Sequence, residues 1–308
     1  MGRSCPERWA FVAVLMAATV VLSPGRRALR RGALEHLRPP ARCLVTVQAL
    51  RRYPVKSCLG EQLQRAELGP SGILGDRTFA VSRMGRLLTQ RQCPALAAVT
   101  ASLTDGTLRL TTPGAPPLEL PRGHNEGGAE VASSVFGADV LGIDQGDEAA
   151  DWVSAAVKAD GCRLLQRAAS CPRTAVGSHW ADLAPLLVVS DASMDALCRS
   201  AGRVVPLNRF RPNIVVSGAD EPHAEDTWRG ITIGDVRLLP VGPCGRCTIV
   251  DVDQAQAVRD RGFSVFGALV GHRGRAVFGH YYRPVPLGGR AEAEAFGAVD
   301  VGMEVEIA

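Results

Sequence analysis

The densest chemistry in this 308-residue chain is Gly242-Pro243-Cys244-Gly245-Arg246-Cys247, two thiols and a guanidinium between two apolar runs. A Pro/Gly-rich hexapeptide in that position reads as a loop. A thiol in a loop beside an arginine ionises more readily than a free cysteine. Three chemistries then compete with an inert pair of thiols. A zinc site needs about four N/S ligands, and no second Cys pair or spaced Cys/His cluster accompanies this one. A redox dithiol sits where a strand turns into a helix, whereas Thr248-Ile249-Val250-Asp251-Val252-Asp253 reads as an extended segment. A single soft thiolate completing a transition metal, with neighbouring donors holding the rest of a cofactor, is the third.

Donors for such a cofactor stand elsewhere in the chain. Tyr53-Pro54-Val55-Lys56-Ser57-Cys58 reads as a constrained turn that sets a cation beside a hydroxyl. It is either a surface loop or a phosphate cradle. Lys56 is one of only two lysines against thirty-three arginines. Arg77, at the start of a strand, is an edge charge or a second phosphate partner. Arg209 and Arg211 precede the apolar run Ile214-Val215-Val216, and strand alternation points both to one side, so at least one meets solvent or an anion.

The elements that must position these groups are mostly short strands. The expected strands are Cys43–Leu50, Gly75–Val81 turning at Met84-Gly85, Ala95–Leu103, Thr107–Thr111, Leu118–Leu120, Val140–Ile143, Cys162–Leu165, Leu186–Ser190 and Ile214–Ser217. A pair turning at Gly234-Asp235 follows, and Val301–Ile307 alternates as a closing edge strand. Helices are expected from Asp147 to Lys158 and, capped by Ser190, through about Arg199. The fold class is therefore α+β and β-rich.

Charge divides the chain. Residues 1–52 hold ten arginines and two acids, a balance of +8, so a total of +4 leaves −4 for residues 53–308. A mildly acidic body lacks the basic face that nucleic-acid binding requires. Nine cysteines without framework spacing, in a chain too large to need staples, fit a reducing compartment. Trp9 to Gly25 is free of charge for 17 residues between Arg8 and Arg26, the short end of a membrane span. Arg26, Arg27, Arg30 and Arg31 follow at once and keep that flank on the cytosolic side. The expectation is a retained anchor with the body in the cytosol. A mitochondrial transit peptide and a cleaved secretory signal are the rivals.

Several segments occur together in one order: Tyr-Pro-Val-Lys-Ser (53–57), Asp-Arg (76–77) with Thr-Gln-Arg-Gln (89–92), Phe-Arg-Pro-Asn-Ile-Val (210–215), Glu-Asp-Thr-Trp (225–228), Ile-Gly-Asp-Val (233–236) and Cys-x-Arg-Cys (244–247). In that order they resemble MOSC-domain proteins, and within them the mitochondrial amidoxime-reducing components, over roughly residues 43–308. The resemblance implies an anchor and basic linker over 1–42, a MOSC N-terminal β-barrel domain over 43–170 and a MOSC β-barrel domain over 171–308.

It further implies a molybdenum cofactor, a phosphate-bearing pterin (Mo-molybdopterin), with Cys247 as the metal's thiolate. The positions that match the family's cofactor contacts are Lys56, Ser57, Arg77, Asp182, Leu183, Ala184, Arg211, Asn213, Gly245 and Arg246, with Asp182 also a candidate for handling protons. Cys244 is then a bystander. Gly245 and Leu183-Ala184 replace more polar residues of the pattern, and Gln254–Arg275 departs from it. The implied activity is reduction of N-hydroxylated compounds such as amidoximes at a mitochondrial outer membrane. The implied electron donors are a cytochrome b5 and its NADH-dependent reductase. A non-catalytic cofactor carrier or sulfur-transfer module, and a dithiol redox protein, are the alternatives.

Overall fold

A computed structural model describes residues 44–121, 123–135, 138–171, 180, 183–287 and 295–308. The apolar leader and its arginine cluster, and also Asp182, lie outside the described residues. No helix among the described residues is long and apolar enough to cross a membrane. Cys43–Ala308 forms one compact unit.

In the first half a five-stranded barrel closes. Glu130–Val135 pairs with Ala138–Asp144, that strand with Cys162–Arg167, and that with Phe79–Arg83, which turns into Arg86–Leu87. A parallel pairing of Ser134 with Arg86 shuts the ring. Helix α1, Asp147–Val157, packs on the barrel through Ala149, Ala150, Val153 and Val157, and its first turn carries Asp147 and Glu148 where the helix dipole favours acids. The core beneath it includes Val55, Val81, Leu96, Leu108 and Leu164.

An eight-stranded sheet dominates the second half, in the order Glu61–Leu63, Thr46–Arg52, Ile214–Ser217, Leu186–Ser190, Val277–Pro286, Val236–Gly245, Ile231–Ile233, Glu306–Ile307. Two of its strands, Thr46–Arg52 and Glu61–Leu63, come from the start of the chain. Leu186–Ser190 is buried at every residue and runs parallel to Ile214–Ser217, the two joined through helix α2, Asp191–Ala201, whose Ser190 cap accepts from the Ser193 amide. A parallel pair needs such a crossover. The second strand also meets the stretch just before the last one: Thr46 bridges Glu304, the Val47 amide donates to the Met303 carbonyl at 2.8 Å and the Val305 amide to the Val45 carbonyl at 2.7 Å. The sheet thus curls back toward its own start, through a bridge instead of a full ladder.

Three local expectations are corrected. Thr248–Asp251 is a single 3-10 turn, and only Val252–Asp253 is extended. Its β-branched residues suit a strand, but Asp251 is drawn to the next helix, accepting from the Phe266 amide at 2.9 Å and facing the Ser264 hydroxyl. Arg209 and Arg211 do not share a side: Leu207–Arg209 is another 3-10 turn, so strand alternation does not apply. Arg209 is buried against Asp253 and Asp260. Of the expected closing edge strand Val301–Ile307 only Glu306–Ile307 forms a strand, paired with Ile231–Ile233 at the sheet's edge, while Gly297–Asp300 before it pairs with Arg65–Gly69.

Candidate functional site

One cleft gathers the chemistry. It measures about 730 Å³ with its open mouth included, and its lining mixes Lys56, Ser57, Arg77 and Arg211 with Cys247 and the apolar Leu187, Phe210 and Ile249. No carboxylate lines it among the described residues.

The first wall is built from tight turns. After Thr46–Arg52 the chain bends at Pro54, and Ser57 takes a left-handed backbone (φ 67°), its carbonyl held by the buried Gln90 amide at 2.7 Å. Gln90 in turn exchanges hydrogen bonds with Gln254 at 3.0 and 2.8 Å, which ties this turn to the stretch after the cysteine segment. The bend aims Lys56 inward, where it is 5% exposed and donates to the Trp180 carbonyl at 2.9 Å.

Arg77 and Arg211 also adopt left-handed backbones, at φ 50° and 55°. Such conformations persist in ordinary residues only when the surroundings dictate them. Arg77 is paired with the buried Asp76 and reaches Asn213 Oδ1 at 3.2 Å. Asn213, itself buried, donates to the Arg51 carbonyl and accepts from the Leu187 amide, so it locks this wall to the central strands. Arg211 has no acid. Its Nη1 donates to the Cys58 carbonyl at 2.5 Å, and its Nη2 is buried with no partner. Burial first, then repulsion from Arg77, lowers the Arg211 pKa to about 10, so it stays a cation at neutral pH. Burial pushes the neighbouring Cys58 thiol up to about 12 and leaves it inert.

The second wall is the cysteine segment, which is strand through Gly245 and not the expected loop, with only Arg246 and Cys247 beyond the strand's end. Strand Val236–Gly245 carries Cys244 inward, where it is fully buried. Arg246 bends back, its Nη1 donating to Cys244 Sγ at 2.8 Å and its Nη2 to the Phe210 carbonyl at 2.9 Å. The guanidinium therefore serves Cys244, not the half-exposed Cys247, which caps the 3-10 turn and faces the cleft. A Cβ added at Gly245 would meet no atom within 4 Å, so the backbone there is open to a ligand.

Nine of the eleven expected contact residues meet in this cleft: Lys56, Ser57, Arg77, Ala184, Arg211, Asn213, Gly245, Arg246 and Cys247. Leu183 does not line it and is 54% exposed. Among the described residues, no three His, Cys, Asp or Glu side chains converge as a metal site.

Residues 44–160 match the MOSC N-terminal beta barrel domain and residues 176–306 the MOSC domain. The chain belongs to the MOSC family. This MOSC protein is 35% identical over 269 residues to mitochondrial amidoxime-reducing component 1 of Mus musculus, spanning 82% of this chain and 78% of that one. With mitochondrial amidoxime reducing component 2 of Bos taurus it shares 36% over 232 residues, 70% of this chain and 69% of the other. The molybdenum cofactor sulfurase of Danio rerio is 31% identical over 67% of this chain but only 28% of its own length.

Sequence reasoning missed several residues of this MOSC cleft, namely Thr89, Pro185, Leu187, Phe210, Ile249 and Tyr281. Thr89 and Phe210 stood within quoted motifs, without being singled out as contacts. The apolar ones carry no signal in a linear reading, because an apolar residue beside a cleft looks like any core residue.

Proposed function

We propose that this MOSC protein is a molybdenum-cofactor-dependent reductase of N-hydroxylated compounds. The observation that carries this reading is the unmatched Arg211 Nη2, a buried donor left over on a cationic wall that faces a free thiol. A buried donor without a partner costs free energy, and a phosphate-bearing ligand supplies the acceptor. Four cationic residues line the cleft, no carboxylate is among the described residues of its lining, and Asp76 stands behind Arg77. That charge balance fits a polyanionic pterin cofactor.

In this reading Lys56, Ser57, Arg77 and Arg211 would hold the phosphate, Asn213 fixes the wall, and the Gly245-Arg246 backbone would help to hold the pterin. Cys247 offers the thiolate. The bound cofactor supplies the two-electron chemistry by which an N–OH group takes two protons and loses its oxygen as water. The apolar side of the cleft, from Leu187, Phe210 and Ile249, excludes water around the organic part of the substrate. Asp182 and Leu183 are proposed contacts of the same ligand, and Asp182 a proton-handling group.

The relatives' names support a mitochondrial setting. The leader adds the proposal of an outer-membrane anchor, with a cytochrome b5-type protein and its reductase as donors and a division between domains near residue 170. Molybdenum and pterin analysis of the purified protein, followed by benzamidoxime reduction with an artificial donor, tests the reading. Both components and turnover are expected. Absence of pterin refutes it, whereas cofactor without turnover favours a carrier or sulfur-transfer role.

A further inference from the structure

We propose that Tyr53 is the positioning residue that makes Arg77 and Arg211 a single clamp for a phosphate group. The inference rests on the cofactor reading above, and it concerns a residue that stands behind the cleft lining.

Two partly buried guanidinium groups on one wall repel each other, and among the described residues only Arg77 is paired with a carboxylate. Tyr53 offsets this repulsion. Its ring is shared by both cations: Arg77 Cζ lies 4.4 Å from the ring centroid and Arg211 Cζ 4.3 Å. The electron-rich face of an aromatic ring attracts a guanidinium, most strongly where water is excluded. Tyr53 is 3% exposed, so this is such a place.

The same residue also aligns the two turns that carry the arginines. Its amide donates to Asp76 Oδ1 at 2.8 Å and its carbonyl accepts from the Arg77 amide at 2.8 Å. Its hydroxyl donates to the carbonyl of Pro212, next to Arg211, at 3.1 Å. Both arginines have left-handed backbones, and these bonds help to hold them there. A cation presented by a fixed backbone and a fixed ring is pre-organised, so less is lost when an anion binds. Tyr53 therefore acts through the arginines and touches no ligand itself.

The test uses the full-length chain made in a host that lacks the pterin, titrated with inorganic phosphate by calorimetry. Tyr53→Phe keeps the ring and is expected to bind within about threefold of wild type. Tyr53→Leu is expected to weaken phosphate by roughly tenfold or more. A fluorinated phenylalanine at position 53 keeps the shape but depletes the ring face, so it separates attraction from packing. It is expected to bind more weakly than Tyr53→Phe with an unchanged melting temperature. Equal phosphate binding by the fluorinated and plain phenylalanine forms overturns the proposal, as does a wild type that binds no phosphate. The cofactor reading fails separately, if protein from a pterin-making host carries neither pterin nor molybdenum.

Discussion

The two walls of the cleft are made differently. The wall of Ser57, Arg77 and Arg211 combines three left-handed backbones, partly buried cations and amide locks from Gln90 and Asn213. The facing wall has one thiol turned to the cleft, an open glycine and apolar neighbours. Rigidity and charge are concentrated where an anionic ligand would be gripped. Space and reactivity are left where metal and substrate would meet. Binding and chemistry are thus assigned to different stretches of chain, brought together because Thr46–Arg52 pairs with Ile214–Ser217 in one sheet.

The largest expected effect falls on the open wall. Cys247→Ala is expected to reduce benzamidoxime turnover to background with the fold intact, while Cys244→Ser keeps most of it. Equal loss from both, measured as kcat with an artificial donor, would favour a dithiol instead.

On the rigid wall the consequence is stability. Arg77→Met strands the buried Asp76 carboxylate and is expected to cost about 3–5 kcal/mol in urea denaturation. A loss below about 1 kcal/mol would show that the pair is not the lock described here. Gln90→Leu unpairs the Ser57 carbonyl and Gln254 together, and about 1–3 kcal/mol is expected by the same measurement. Arg211→Met should behave in the opposite way. With no carboxylate among the described residues to strand, it is expected to change cofactor-free stability by less than about 1 kcal/mol yet lower pterin content. Unchanged pterin content would remove Arg211 from the grip.

A histidine outside both walls provides a control. Burial, then repulsion from Arg273, lowers His223 to about 4 from its ordinary 6.5. The unfolded chain therefore binds the extra proton between those values. This contribution to stability is complete above about pH 6.5 and is lost as pH falls toward 4. Discounted for partial exposure, it amounts to about 1–2 kcal/mol. His223→Gln is expected to flatten that slope in acid denaturation without changing pterin content.

Much of this was legible in the residues. Leu186–Ser190 and Thr107–Thr111 match their strands end to end, because each is a short β-prone run closed by turn or cap residues. Asp147–Val157 differs from expectation by one residue. Thr248–Asp251 failed because a tertiary partner, the N-terminus of helix α3 (Val265–Arg273), outweighed β propensity. At the site, motif residues with charge or a thiol were visible singly. Their mutual arrangement was not: the Tyr53 ring joins positions 77 and 211, and Arg246 turns to Cys244 although Cys247 is its neighbour in sequence. Such pairings depend on which turns face each other, and one-dimensional spacing does not encode that.

The division between a gripping wall and a reactive wall is tested most directly by X-ray absorption at the molybdenum edge on the purified full-length protein and its two cysteine variants. Cys247→Ala is expected to retain pterin and to have one sulfur neighbour fewer around molybdenum, with Cys244→Ala indistinguishable from wild type. An unchanged sulfur count in Cys247→Ala would contradict the assignment of that thiol to the metal.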